Sequence, residues 1–337
     1  MVTPSIFISD KEKDNLSLRE LMEILYHEHP EDTVIELTRK WCLQSNSDDI
    51  LKKGMEFLYM NGFYKDLQVL IEKNSQCPTS SNRMWAAVYQ NILDRRLRKY
   101  TPHESLQRIK HIETKDPELK CLVEFFKVTT YYELNQFSRL GNFLAIQPEL
   151  FAVVEDKLLL SYFKIRLNQI LLTYHLTRNE LIMARKYAFR VLNQTENPRT
   201  MASMHIKLGL SYTFDTYFQG MYHLSEAVKI AKQHKLDKVV KLVKERNIPF
   251  LSAHFNQVEN ISSPDPSEQA HIEIAKGNNQ RAIELLDDLP LDSPFQLYYL
   301  GKAKQDKNLL LQSYNFFIEK RSDYFFSRLP LSLLKQL

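Results

Sequence analysis

The scarcity of glycine is the feature that most restricts how this chain can fold. Seven of its 337 residues are glycine, whereas soluble proteins usually contain roughly 7%. Phosphate-binding loops, dinucleotide-binding turns and hairpin-rich β-sheets need glycine where the backbone takes positive φ or approaches a ligand closely. What remains is a succession of apolar patterns at helical spacing, separated by short polar turns, and this predicts an all-α protein.

Several helix ends and two breaks can be read directly from the sequence. Ser17 and Glu20 have the spacing of a capping box, and apolar residues then recur at helical intervals up to Pro30. Two polar, proline-containing stretches, 74–81 and 260–266, are the predicted breaks between segments. The predicted segments are N-terminal helices over 17–74, central repeats over 82–259 and C-terminal repeats over 266–337.

Internal repetition indicates how these helices pair. Leu208-Gly209 followed by Tyr212 has the Leu-Gly-x-x-Tyr spacing of a tetratricopeptide first helix, and Leu300-Gly301 repeats its opening. The stretch 270–286 has the pattern of helix, glycine turn and second helix, with a small residue, Ala282, at the expected helix crossing. Together these patterns predict a tetratricopeptide-like right-handed superhelix of antiparallel helix pairs.

The sequence offers no constellation that would support catalysis or a metal site. His27 and His29 are two residues apart and diverge on a helix, and no nucleophile elbow or Walker motif occurs. Cys42, Cys77 and Cys121 lack the spacing of a disulfide framework or a zinc site, which favours a reducing cytoplasm. We therefore expect a cytoplasmic protein that is not an enzyme, has no cofactor or metal, and does not enter a membrane.

A lysine series invites a nucleic-acid interpretation. Lysines recur every three residues from Lys229 to Lys244, although the whole chain carries a net charge of only +4. Three residues rotate a helix by about 300 degrees, so the series winds around the surface and does not form one stripe. A solvated helical hairpin is the favoured interpretation, and DNA contact through this segment is not expected.

A polar stripe on a helix is the first candidate binding surface. Tyr162, Arg166, Gln169, Thr173 and Thr177 follow steps of four, three, four and four. The stripe is either a plain solvated face or the wall of a groove that hydrogen-bonds an extended peptide.

Three charged residues from other repeats add to this second interpretation. Arg199, Glu268 and Asp323 would project toward the same groove and would suit a zwitterionic peptide. An arginine forms two hydrogen bonds with a carboxylate, and the acids accept hydrogen bonds from a cationic group.

Several stretches resemble AimR, the arbitrium peptide receptor family of temperate phages. The resemblance covers nearly the whole chain and rests on 267–271, on Leu208-Gly-x-Ser-Tyr212 with Phe214, and on 298–300 leading to Ser322-Asp323 and 328–331. It implies a dimeric, tetratricopeptide-like transcription regulator that governs the choice between lysis and lysogeny. In this family a short secreted peptide, usually a hexapeptide carrying an arginine, enters the groove and stops transcriptional activation.

The resemblance also implies roles for individual residues. Arg199 matches the arginine that holds the peptide, and Glu268 and Asp323 match the acidic groups that face it. Thr173, Thr177 and Leu210 stand where other members have asparagines that clamp the peptide, which implies a different peptide specificity here. The C-terminal repeats over 266–337 would supply peptide-binding residues and a dimer contact.

The N-terminal end is expected to differ from the family pattern. Residues 1–16 resemble the remnant of, or the linker from, a helix-turn-helix head, so DNA would be contacted only through a head that is absent from this chain. The rival interpretation is a headless helical-repeat regulator that sequesters a protein partner, as the related Rap proteins do, with the helices over 17–73 as its docking face.

Overall fold

The structure is a computed structural model that describes residues 16–337, so most of the predicted 1–16 segment lies outside the described residues. Every regular element in this range is helical, and none of these helices is long and apolar enough to cross a membrane. The fold divides into two compact units. Unit 1 contains residues up to 134 together with 142–166, and unit 2 contains 135–141 and 167–337.

Unit 1 is built from a series of short antiparallel helices. The first begins where the sequence predicts it, because the Ser17 side chain accepts from the backbone of Glu20 and the Glu20 carboxylate accepts from the backbone of Ser17. The helices of this unit are Leu18–Glu28, Glu31–Gln44, Asp48–Met60, Tyr64–Ser75, Ser80–Leu97, Pro102–Lys110, Pro117–Glu133, and the larger part of Ser138–Ala152 with the first half of Lys157–Thr177.

The predicted break at 74–81 is a packed turn inside unit 1. The buried Asn74 amide donates to the backbone carbonyls of Leu51 and Leu70, both at 2.9 Å. Its oxygen accepts from the amide of buried Asn82 at 3.0 Å. These polar residues therefore tie three helices together instead of releasing the chain into solvent.

Unit 2 contains the repeats on which the fold prediction rests. After the second half of Lys157–Thr177, its helices are Leu181–Leu192, Pro198–Ser211, Tyr217–Gln233, Asp237–Leu242, Ile248–His254, Pro266–Ala275, Asn279–Asp287, Pro294–Lys304, Lys307–Asn315 and Arg328–Leu334. Single π-helical turns, Val243–Asn247 and Phe316–Arg321, extend two of them. The prediction of an all-α helical repeat is confirmed.

Glycine lies where the helices of unit 2 approach most closely. A Cβ on Gly209 would be 2.8 Å from the side chain of Leu224 and 3.0 Å from the carbonyl of Gly220, so only glycine allows this crossing. Gly301 meets Leu310 at 3.0 Å in the same way, and Gly277 has a φ of +85° in the turn after Pro266–Ala275. These contacts explain the Leu-Gly spacing in the sequence.

The second predicted break, 260–266, also lies inside a unit. Ser263 donates to the carbonyl of Glu245, and Asp265 pairs with Arg246 at 2.8 Å. Asp265 also caps the helix Pro266–Ala275 by accepting from the backbone of Ser267 and Glu268. The break is thus an ordered connection that fixes where Glu268 lies.

Candidate ligand-binding site

Arg199 occupies the first turn of the helix Pro198–Ser211. Asn197 caps this helix by accepting from the backbone N–H of Arg199 at 3.1 Å, and proline takes the first helical position. A cation in the first turn opposes the helix dipole, which favours negative charge there. The helix dipole therefore does not favour the half-buried Arg199 at this position.

The same helix carries a second cation, Lys207, two turns further on. Its ammonium donates to the hydroxyl of Thr173 at 2.7 Å. Burial lowers the pKa of Lys207 to about 8, because the apolar surroundings disfavour the charged form. Lys207 thereby connects the Arg199 helix with the polar stripe on Lys157–Thr177.

The two threonines of the stripe are buried rather than solvated. Thr173 is 5% exposed and Thr177 is 7% exposed, and their hydroxyls donate to the carbonyls of Gln169 and Tyr174 in their own helix. The carbonyl of Thr177 accepts from the backbone of Tyr324 at 2.7 Å and of Phe325 at 3.2 Å. The plain solvated face is therefore wrong for these two positions, and Thr177 lies directly against the segment that carries Asp323.

Asp323 is a buried acid in the turn that follows the π-helical turn Phe316–Arg321. Its carboxylate accepts from the backbone of Phe326 at 3.0 Å, and burial raises its pKa to about 6. Within residues 16–337 no cationic atom lies at ion-pair distance from this carboxylate; Arg321 acts on it only through the longer-range field. Its charged form is therefore incompletely compensated.

Glu268 lies in the first turn of Pro266–Ala275, in a comparable situation. The hydroxyl of Tyr299 donates to both of its oxygens, at 3.3 and 3.4 Å. Burial, reinforced by the neighbouring Asp265, raises its pKa to about 8. No cation of the described chain forms an ion pair with it, so Glu268 is mainly protonated near neutral pH.

Aromatic rings fill the space between the elements that carry the two acids. Tyr299 stacks on His271 with ring centroids 4.3 Å apart, and His271 contacts Phe250 at 5.8 Å. Phe250 in turn contacts Phe326 at 5.8 Å, three residues after Asp323. A series of ring contacts thus links the surroundings of Glu268 with those of Asp323.

Two further predicted residues, Gln169 and Leu210, also lie in unit 2. Gln169 is half-buried, and its carbonyl accepts from Thr173. Leu210 packs against the apolar core around Leu224 and Leu251 with part of its side chain exposed. Leu210 therefore offers a ligand only an apolar contact.

Arg166 has a different role from the rest of the predicted set. It lies in unit 1, where its guanidinium forms two bonds with the fully buried Glu56, at 2.6 and 2.7 Å, and covers the ring of Tyr59. Tyr89 donates to the same carboxylate at 2.5 Å. The donor fork of Arg166 is thus occupied by Glu56 within unit 1.

Two residues that belong to the site by their contacts were missed from the sequence. Lys207 stands in an apolar stretch beside Leu208, and Tyr299 stands in Tyr298-Tyr299-Leu300. A lysine among apolar residues two helical turns from Arg199 is a local signal that could have identified the first. The second has no such signal, because its partner Glu268 is 31 residues away.

Comparison with known proteins places this arrangement in a family. The family model described as AimR transcriptional regulator-like matches residues 34–336. The AimR transcriptional regulator of Bacillus phage SPbeta is 23% identical over 330 residues, covering 94% of this chain and 84% of that protein. That of Bacillus phage phi3T is 21% identical over 346 residues, covering 98% and 89%.

A solved structure described as phAimR with ligand has the same fold. It superimposes with a TM-score of 0.77 at 20% identity and covers 95% of this chain and 97% of that one.

Proposed function

Because the chain belongs to the AimR transcriptional regulator-like family, we propose that it is the peptide-sensing scaffold of a phage regulator of lysis and lysogeny. A short secreted peptide binds unit 2 and switches off transcriptional activation in the host cytoplasm. Regulation of transcription is the activity of the family, and the peptide, its site and the developmental decision are what this proposal adds.

The observation that carries the proposal is that the half-buried Glu268 and the buried Asp323 have no ion-pair partner among residues 16–337. Ionising a buried carboxyl costs free energy unless a cation or strong donors compensate it. This cost raises the pKa of both Glu268 and Asp323 in the ligand-free protein. A cationic group of a peptide, such as an internal arginine, would offset this cost by pairing with the ionised carboxylates.

The negatively charged end of the peptide would bind at the helix that carries Arg199. The guanidinium of Arg199 would bind the peptide carboxylate, with Lys207 supporting the same end and Thr173, Thr177 and Gln169 lining the path between. Leu210 would contact an apolar side chain. Arg166 supports the scaffold through Glu56 and does not contact the peptide.

Isothermal titration calorimetry with synthetic hexapeptides tests this proposal. A peptide with an internal Arg-Gly is expected to bind, and its Arg-to-Ala counterpart is expected to bind at least tenfold more weakly. Arg199→Ala should weaken binding by about 2 kcal/mol or more, because the peptide carboxylate would then be left without its cationic partner. Arg199→Lys should also lose affinity, since an ammonium cannot reproduce the guanidinium fork.

Arg281→Ala is the matched control, because Arg281 is exposed in unit 2 and, among residues 16–337, forms its ion pair with Glu284 of its own helix. It should leave peptide affinity unchanged. Bound peptide should also raise the melting temperature, as any ligand specific to the native state does. Equal affinity of both peptides, or of Arg199→Ala and the unaltered protein, would refute the proposed site.

A further inference from the structure

Two neighbouring helices of unit 2 expose apolar side chains that no other part of the described chain covers. Ile182 is 85% exposed and Phe189 is 44% exposed on Leu181–Leu192, while Phe218 is 84% and Tyr222 is 59% exposed on Tyr217–Gln233. Single exposed apolar residues are ordinary, but four on two packed helices form a patch of the kind that marks interaction surfaces.

The contacts beneath these residues show that they form one surface. The ring of buried His223 contacts Phe189 at 6.0 Å and Tyr222 at 5.2 Å, so it bridges the two helices. Arg185 donates to the carbonyl of Ser211 at 2.7 Å and pairs with Asp215, which precedes the second helix. Both helices therefore start at the same end and run side by side.

The spacing of the exposed residues forms two ridges. Ile182 and Phe189 are seven residues apart, and Phe218 and Tyr222 are four apart, so each pair lies on one face of its helix. Exposed apolar ridges on neighbouring helices are the kind of surface on which a third helix packs.

Cations outnumber acids around these two helices. The acids that flank them, Glu180 and Asp215, pair with Arg178 and Arg185. Leu181–Leu192 contains Arg185, Lys186 and Arg190 and no acid. Tyr217–Gln233 contains Lys229 and Lys232 with a single acid, Glu226, which is half-buried and adjoins Lys229 at 3.4 Å. A partner for this surface must therefore carry acids beside its apolar residues.

We propose that this surface, formed by Ile182, Lys186, Phe189, Arg190, Phe218 and Tyr222 and termed the basic aromatic face, docks an acidic amphipathic helix of a partner protein. This goes beyond peptide sensing, because it uses other residues and a ligand of opposite charge. A second copy of the chain would bring the same cations and be repelled. Single-stranded nucleic acid fits less well, because the most exposed residue, Ile182, cannot stack on a base.

Fluorescence anisotropy with three labelled 18-residue probes tests the proposal. The first is an amphipathic helix of leucine, tryptophan and glutamate; the second has the same composition in a non-amphipathic order; the third has lysine in place of glutamate. The first is expected to bind with at least tenfold higher affinity than the others, and its affinity should fall as salt rises.

Variants of the full chain show where the probe binds. The double variant Ile182→Ser, Phe218→Ser should lower the affinity for the acidic probe at least tenfold. Both residues are so exposed that the variant is expected to fold. Lys186→Glu with Arg190→Glu should reverse the preference toward the lysine probe. Lys307→Glu with Lys304→Glu is the control for net charge and should have a much smaller effect.

Three outcomes would overturn the proposal. The first is equal binding of the amphipathic and reordered probes. The second is that a thymidine 20-mer binds and the acidic probe does not, and that Phe218→Ser abolishes binding of the 20-mer. The third is a self-association constant in sedimentation that falls in the Ile182→Ser, Phe218→Ser variant, which would make the surface a contact between copies.

Discussion

Acids that are buried or half-buried occur in both units, but their charges are compensated differently. In unit 1, Glu56 is fully buried and accepts two bonds from Arg166 and one from Tyr89. In unit 2, Glu268 receives a single tyrosine hydroxyl and Asp323 receives backbone N–H groups, and neither has an ion-pair partner among residues 16–337. The charge of Glu56 is thus compensated within the protein, whereas the charges of Glu268 and Asp323 are not.

This difference in ion pairing distinguishes a charge that stabilises the fold, that of Glu56, from charges proposed to bind a ligand, those of Glu268 and Asp323. A buried ion pair contributes little net stability relative to an apolar pair, but losing one of its members is costly. A buried acid with no cation is already costly, so removing it should help the free protein and harm binding. Opposite signs of the mutational effect are therefore expected in the two units.

The largest effect is expected in unit 1. Arg166→Met should lower the free energy of unfolding by about 3–5 kcal/mol, because Glu56 would remain buried without its cation. Both tryptophans, Trp41 and Trp85, lie in unit 1, so denaturant titration followed by tryptophan fluorescence reports on this unit.

The control for this prediction is the double variant Glu56→Gln, Arg166→Met. It should recover much of the loss, because no uncompensated charge remains. A loss in the double variant equal to that of Arg166→Met would mean that the stacking of the guanidinium on Tyr59 matters more than the charge.

The opposite sign is expected for Glu268→Gln in unit 2. The folded pKa of Glu268, about 8, lies above its unfolded value. The stability it contributes is therefore fully present below about pH 4.5 and is lost as the pH rises toward 8. A glutamine stays neutral, so the ligand-free variant should gain about 1–3 kcal/mol at pH 8 and little at pH 5. Hydrogen exchange of the amides in Pro266–Ala275 measures it.

Glu273→Gln on the same helix is the matched control. Its carboxylate accepts from Asn278, and its pKa is lowered mainly by that bond. Its contribution is present above about pH 4.5 and is lost as the pH falls, so its glutamine variant should lose stability at pH 8. The same sign for both variants would contradict the contrast drawn here.

Peptide affinity should depend on pH for the same reason. A cationic peptide prefers the ionised form of Glu268, so binding should release close to one proton at pH 7. Affinity should rise by up to about tenfold per pH unit between pH 6 and 8. Calorimetry in two buffers of different ionisation enthalpy measures the released protons. Glu268→Gln should remove most of this dependence, and proton uptake by the unaltered protein would contradict the assignment.

The sequence predicted the parts of the fold that depend on local pattern. The capping box at Ser17 and the glycine crossing at Gly209 involve residues close in the chain, so their spacing is visible without a structure. Polarity alone could not show whether a group is solvated. Asn74 lies in the polar stretch 74–81 that was predicted to be a break, yet its side chain accepts a hydrogen bond from Asn82 in the core.

Partners that are distant in the chain explain the rest of what the sequence did not show. Arg166 belongs to a predicted polar stripe by its spacing, but its partner Glu56 is 110 residues away. Lys207 and Tyr299 entered the site only through their contacts with Thr173 and Glu268. Which polar residues are already satisfied is a property of tertiary packing, and this decides which of them remain available to a ligand.

The smallest effect extends the comparison to a neutral group. His271 is fully buried and stacks on Tyr299, and within the described part of the chain neither of its ring nitrogens has a hydrogen-bond partner. A neutral imidazole always carries one N–H, so this group should cost about 1 kcal/mol. His271→Phe keeps the ring stack and should raise the free energy of unfolding by about that amount at pH 7, measured by hydrogen exchange in Pro294–Lys304.

The pH dependence distinguishes this polar cost from a change in packing. Burial holds the folded pKa of His271 well below its usual value, so the unfolded chain binds a proton below about pH 6.5 that the folded one does not. The unaltered protein therefore loses stability as the pH falls, and the advantage of His271→Phe should grow by up to about 1.4 kcal/mol per pH unit. An advantage that is constant from pH 7 to 5 would contradict the lowered pKa of His271, because the folded and unfolded chains would then bind the same number of protons.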